Sequence, residues 1–170
     1  MFQWYAKLTF VQFMQGNLTK LLHKQKVFVW LFLVDRLNTR DMMARRHWHL
    51  DSGVNCAMCS RGQRETRDHL FFNCSFARKC WAELDITWST AAGTAAMFDL
   101  AKQNFAGPKF FEVATCALWG LWKQRNNHIF EGAPFSVPAW KAVFKKDLGL
   151  LVHRVKVSHK KPLEDWIAAF

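Results

Sequence analysis

Three cysteines and one histidine between residues 56 and 74 constrain the fold of this chain more than any other feature. Their spacing is C-x2-C-x9-H-x4-C, and they are Cys56, Cys59, His69 and Cys74. Two thiolates on a tight turn can hold a metal ion from one side, and an imidazole and a third thiolate from the start of a following helix can complete a tetrahedron. This is the ligand set of a structural zinc (Zn²⁺) site, which leaves no position open for water or substrate. The alternative is two buried cysteines, a disulfide-capable pair and an unrelated histidine.

Basic side chains surround this motif. They are Arg61, Arg64, Arg67, Arg78 and Lys79, and only Glu65 and Asp68 oppose them. Positive neighbours lower the pKa of a thiol and so favour the deprotonated form that binds metal. We also predict that these five cations contact the phosphates of a nucleic acid. The alternative is a solvated loop, and both descriptions can hold together.

The overall charge indicates the class of partner. A formal net charge of +11 and a pI near 9.8 favour polyanions, with nucleic acid ahead of an anionic membrane. The N-terminus lacks the features of a secretory signal, and three of the five cysteines fall in the motif, so we expect an intracellular protein, with the nucleus favoured over the cytoplasm. The longest apolar run, residues 27–34, is too short to span a bilayer. We expect no membrane partner and no small-molecule substrate.

The apolar patterns predict a mostly α fold. Short helical pieces are expected within residues 5–23 and a buried helix over 26–37. Thr39 is predicted to cap a short helix that ends near His47, and Ser75 to cap a helix over 76–84.

Two long helices are predicted in the C-terminal half. The first begins at the Gly107-Pro108 pair and stops at Gly132, and the second follows Ser136 until Pro162 breaks it. Residues 85–95 are the best candidate for a linker. Among the aromatic residues, Trp48 and Trp88 lie in polar stretches and are expected to be exposed, whereas Cys80 is expected to be a small buried residue.

Three stretches, in this order, carry a family resemblance: KVFVWLFLVDRLNTRDMMARR, CAMCSRGQRETRDHLFFNCSFARKCW and ALWGLWKQRNNHIFEG. They resemble the zinc-binding domain that follows the reverse transcriptase of plant non-LTR (LINE-type) retrotransposons. The resemblance implies zinc ligands at Cys56, Cys59, His69 and Cys74. It also implies framework aromatic residues at Trp30, Phe71, Trp81, Trp119 and Trp122. It divides the chain into a reverse-transcriptase-type zinc-binding subdomain, residues 1–90, and a helical extension packed on it, residues 91–170.

The chain departs from the enzymes of such elements. It has no adjacent Asp-Asp pair for a two-metal polymerase site, and it ends before any ribonuclease H domain would begin. His47 and His49 flank Trp48, but no catalytic partner is placed by sequence. We therefore expect a short, retrotransposon-derived chain that is not an enzyme and that binds nucleic acid. The alternative is an adaptor that has been recruited to bind an acidic protein partner and has no nucleic-acid role.

Overall fold

The computed structural model describes residues 20–89 and 93–170. Within these ranges the regular elements are helices, and the single β-bridge belongs to no strand. In chain order they are α1 (His23–Leu33), α2 (Arg40–Arg45), a π-helical turn (His69–Asn73), α3 (Ser75–Ala82), α4 (Thr94–Asn104), α5 (Phe110–Glu131), α6 (Val137–Val152) and α7 (Val157–Ala169). The predicted mostly α class is confirmed. The predicted pieces within residues 5–23 lie outside the described residues, apart from the start of α1.

The apolar run 27–34 forms most of α1, as predicted. The helix buries Phe28, Val29 and Phe32 in the core. Trp30 points away from these positions and is 51% exposed, so the structure does not place this residue in the aromatic framework that the resemblance implied. The reason is the helical period, because a residue one or two positions from a buried i, i+4 pair lies on another face.

Helices α1 and α2 end in the same way. The residue after each C-cap, Asp35 or His47, has a positive φ, of 52° or 60°. The next N–H then bonds back to the helix, from Arg36 to the Leu31 carbonyl at 2.7 Å and from Trp48 to the Met43 carbonyl at 3.0 Å. This is the Schellman arrangement, which satisfies carbonyl groups that a helix end would leave free. At the other end of α2, the predicted N-cap is confirmed, since Thr39 Oγ1 accepts from Met42 N at 3.2 Å.

Helix α5 is the central element, and it packs against α1, α3 and α6. It begins at Phe110, two residues later than the pattern predicted, and Gly132 ends it with a φ of 64°, as expected. At Gly120, an added Cβ would lie 2.9 Å from Nε1 of Trp140. The Trp140 indole donates to the Ala117 carbonyl at 3.2 Å, so its ring lies directly on the α5 backbone.

The region after Ser136 differs from the prediction. Ser136 caps α6 as expected, with Oγ accepting from Ala139 N at 3.2 Å. The break comes at residues 153–156 instead of at Pro162, which lies inside α7. Packing explains why α7 tolerates a proline that removes one helical hydrogen bond. Leu163 is fully buried, and the Phe170 ring packs on Phe144 with centroids 5.3 Å apart.

One hydrophobic core joins residues from both halves of the chain. Trp88 is partly buried and packs against this core, so the prediction that it is exposed is wrong. Its ring centroid lies 5.0 Å from the ring centroids of Phe72 and Trp81 and 4.8 Å from that of Phe98. The polar neighbours in sequence hid this packing, which depends on α4 folding back over the segment.

The division at residue 90 stays a prediction. Among the helices of the described ranges, none has the length and apolar character needed to cross a bilayer.

Candidate metal centre

The first half of the centre lies at the tip of a short loop. Asn55 and Arg64 form an antiparallel bridge, and Cys56 N donates to the Gln63 carbonyl at 2.8 Å. Gly62 adopts a φ of 63°, a conformation that glycine takes without steric cost, and lets the chain turn back. Met58 N approaches Cys56 Sγ at 3.4 Å. The loop thus holds Cys56 through its backbone N–H, and it holds the Cys56 sulfur through the N–H of Met58.

The second half lies on the π-helical turn. Cys74 N donates to the His69 carbonyl at 2.6 Å, which is an i to i+5 bond, and Thr66 Oγ1 accepts from His69 N at 3.1 Å. In an α-helix, residues five apart are rotated by about 140° from each other. The wider π turn brings them to the same side. The x4 spacing between the histidine and the last cysteine therefore suits this turn, which the sequence analysis did not foresee.

The structure brings the four predicted ligands together. One donor atom from each of Cys56, Cys59, His69 and Cys74 lies within 4.8 Å of all the others. Cys59 Sγ is 3.4 Å from His69 Nε2, and Cys56 Sγ is 3.9 Å from Cys74 Sγ. Zinc bond lengths give tetrahedral edges of about 3.6 Å between sulfur and nitrogen and about 3.8 Å between sulfurs. The spacing therefore fits a zinc ion.

A disulfide does not account for this cluster. A bonded pair of sulfurs would be about 2.0 Å apart, far less than the separation of Cys56 and Cys74. All five cysteines are free thiols. Cys80 is buried as predicted, and burial raises its pKa.

Local interactions favour a thiolate at Cys74. The hydrogen bond from the Cys56 thiol, followed by the backbone N–H groups of Ala77 and Phe76, lowers the pKa of Cys74, although burial opposes this. The same hydrogen bond, together with burial, raises the pKa of Cys56. Cys74 is the N-cap residue of α3, so the predicted cap at Ser75 is wrong by one position. A thiolate at this position faces the free N–H groups of the first helical turn.

The five predicted cations fall into two groups. Arg61, Arg78 and Lys79 are exposed. Arg64 forms an ion pair with Asp41. Arg67 makes three kinds of contact. Its guanidinium donates to Asp68 at 2.7 Å and to Thr94 Oγ1 at 3.1 Å, and it lies over the Phe32 ring.

Sequence reasoning missed a buried ion pair beside the centre. Arg125 Nη2 donates to Glu65 Oε1 at 2.6 Å, and the two side chains are 1% and 0% exposed. The same oxygen accepts from Arg40 N at 2.9 Å. The available signal was one glutamate inside an arginine-rich loop and one arginine among the apolar residues of the later motif. The pair connects the metal loop to α5.

Comparison with known proteins supports the assignment of the centre. Residues 7–81 match the family described as zinc-binding in reverse transcriptase, and the matched range contains all four clustered ligands. This segment is thus supported as a zinc-binding domain of the reverse-transcriptase-associated kind. Residues 82–170 lie outside the match. No curated protein and no solved structure matches the chain.

Proposed function

We propose that this chain is a retrotransposon-derived module, of plant LINE type, that binds one structural zinc ion and holds nucleic acid on a basic surface beside it. The observation that carries the proposal is a Cys3His cluster whose flanking loop and helix present exposed cations. The three quoted motifs support the origin, and the net charge of +11 supports a polyanionic partner. We propose the nucleus as the compartment where they meet.

The zinc ion would have a structural role. Cys56, Cys59, His69 and Cys74 would supply four ligands, which fill a tetrahedral shell and leave no position for a reacting water. Metal-bound loops of this kind obtain much of their folding free energy from the ion. We therefore propose a module that is not an enzyme.

The basic surface is formed by Arg61, Arg78 and Lys79. All three are exposed, and none of them pairs with an acidic side chain among the described residues. They belong to the loop and the helix that the metal would join, so their backbone positions are fixed before binding. Cations on a fixed backbone lose less conformational entropy when they meet phosphates. Arg64 and Arg67 would contribute mainly by holding this loop, because Asp41 and Asp68 already pair with them.

Charge reversal tests the proposal. Changing Arg61, Arg78 and Lys79 to Glu should weaken binding of a labelled RNA or DNA well beyond the matched change of Lys145, Lys146 and Lys156, which lie on or beside α6. Fluorescence anisotropy over a series of salt concentrations measures the affinity and its dependence on salt. We expect the slope of log K against log salt to become shallower by about one for each phosphate contact removed.

Two results would contradict the proposal. Equal losses in the two triple variants would mean that only the overall charge attracts the polyanion. Absence of binding at low salt, together with a protein partner captured independently of nuclease treatment, would favour the acidic-partner adaptor.

A further inference from the structure

A second candidate surface lies where α1 meets α2. The two helix ends enclose a surface cavity of about 300 Å³ lined by Val34, Asp35, Arg36, Met42, Arg45 and Arg46. Three arginines in one cavity of this size would suit an anionic group. Neither the family match nor the proposed zinc-loop surface assigns a role to it.

The charges in this cavity do not cancel. Arg45 donates to Asp35 at 2.9 Å and to Asp41 at 2.8 Å, so its charge is compensated. Among the described residues, the Arg46 guanidinium donates to the neutral Asn38 side chain, at 2.9 Å, and pairs with no carboxylate. The side chain of Arg36 is exposed and donates to no acceptor among the described residues. Two arginines without a carboxylate partner among the described residues therefore line one small space, which is an arrangement that favours a phosphate.

An exposed aromatic ring lies two residues after Arg46 in the chain. Trp48 is 53% exposed, and its Cα atom lies at most about 7 Å from that of Arg46. Its backbone is fixed, because its N–H bonds to the Met43 carbonyl at 3.0 Å in the Schellman turn. A large ring on a fixed backbone is a suitable platform for stacking a base.

We propose that this surface, made by Arg36, Arg46 and Trp48, binds one unpaired nucleotide of a single-stranded nucleic acid. The guanidinium groups would hold its phosphate, and its base would stack on the indole. A paired base inside a duplex cannot present its face to a side chain, so the surface would select single strands. This inference rests on the proposed nucleic-acid function, and it adds the class of strand and a second site.

The test uses the full chain loaded with zinc and two probes, a labelled 12-nucleotide single strand and a duplex of the same length. We expect the single strand to bind more tightly. Trp48→Leu should weaken single-strand binding about tenfold and leave duplex binding unchanged, whereas Trp48→Phe should retain most of the affinity. A 2-aminopurine in the strand should lose fluorescence on binding to the wild type and not to Trp48→Leu. Arg36→Gln with Arg46→Gln should lower single-strand affinity without removing this fluorescence change in the remaining complex.

The outcomes separate this inference from the proposed function. Equal affinity for both probes with no effect of Trp48→Leu, while reversal of Arg61, Arg78 and Lys79 still abolishes binding, would overturn the inference alone. Failure of both probes to bind would overturn both. Displacement of the strand by polyglutamate of matched charge, with the same sensitivity to Trp48→Leu, would show an acidic-peptide site and overturn the nucleotide assignment. Trp48 is exposed, so its variants should unfold at the wild-type temperature.

Discussion

Glu65 and Arg125 illustrate how one buried residue pair connects the metal loop to the rest of the molecule. Two charges removed from water are costly, and their attraction offsets this cost only when both are present. Glu65 Oε2 and Arg125 Nε are buried without a hydrogen-bond partner in the described structure. The pair is thus hydrogen-bonded through Arg125 Nη2 and Glu65 Oε1, whereas the other two atoms have no partner among the described residues.

At this residue scale, we predict that Arg125→Met lowers the free energy of unfolding by about 3–5 kcal/mol, because it leaves the Glu65 carboxylate buried without a counter-ion. Arg64→Met is the matched control. The Arg64 side chain is 50% exposed, and Asp41 would keep its ion pair with Arg45, so the loss should not exceed about 1 kcal/mol. Urea unfolding at a fixed zinc concentration measures the free energy of unfolding of both variants.

A double variant separates the pair from ordinary packing. Glu65→Gln with Arg125→Met should lose less stability than the two single changes added together, because neither charge is then left alone. Strict additivity, or equal losses for Arg125→Met and the Arg64→Met control, would contradict the role assigned to the buried pair.

At the scale of the elements, the approach of α5 to α6 depends on Gly120. A Cβ there would meet the Trp140 ring at 2.9–3.0 Å. We predict that Gly120→Ala destabilises the protein by about 1–3 kcal/mol, although alanine is the better helix former. Thermal unfolding measures the change. Gly149→Ala on α6 is the control, since nothing lies within 4 Å of its added Cβ. It should stabilise by about 0.5–1 kcal/mol, and a similar gain at Gly120 would refute the close packing.

The elements also show what the sequence could and could not predict. Local signals sufficed for the caps at Thr39 and Ser136, for the stop at Gly132 and for the four clustered ligands. They did not suffice where packing decides. The helix through Pro162 and the partial burial of Trp88 each depend on contacts with residues distant in the chain.

At the scale of the whole molecule, the metal loop is attached to the C-terminal half at two points. Glu65 reaches Arg125 on α5, and Arg67 reaches Thr94 on α4. The residues that match the zinc-binding family therefore share contacts, and a core, with residues beyond the match. The nucleic-acid surface and the nucleotide site would both lie on the part of the molecule that the metal organises.

X-ray absorption at the zinc edge of the purified full chain tests the central claim most directly. We predict one zinc ion per chain, with three sulfur scatterers at about 2.3 Å and one nitrogen at about 2.0–2.1 Å. Cys59→Ala should remove one sulfur from this shell, and Cys80→Ala should leave it unchanged, because Cys80 lies outside the cluster. Zinc at well under one ion per chain, a shell dominated by oxygen, or a spectrum that responds to Cys80→Ala in place of Cys59→Ala would contradict the account.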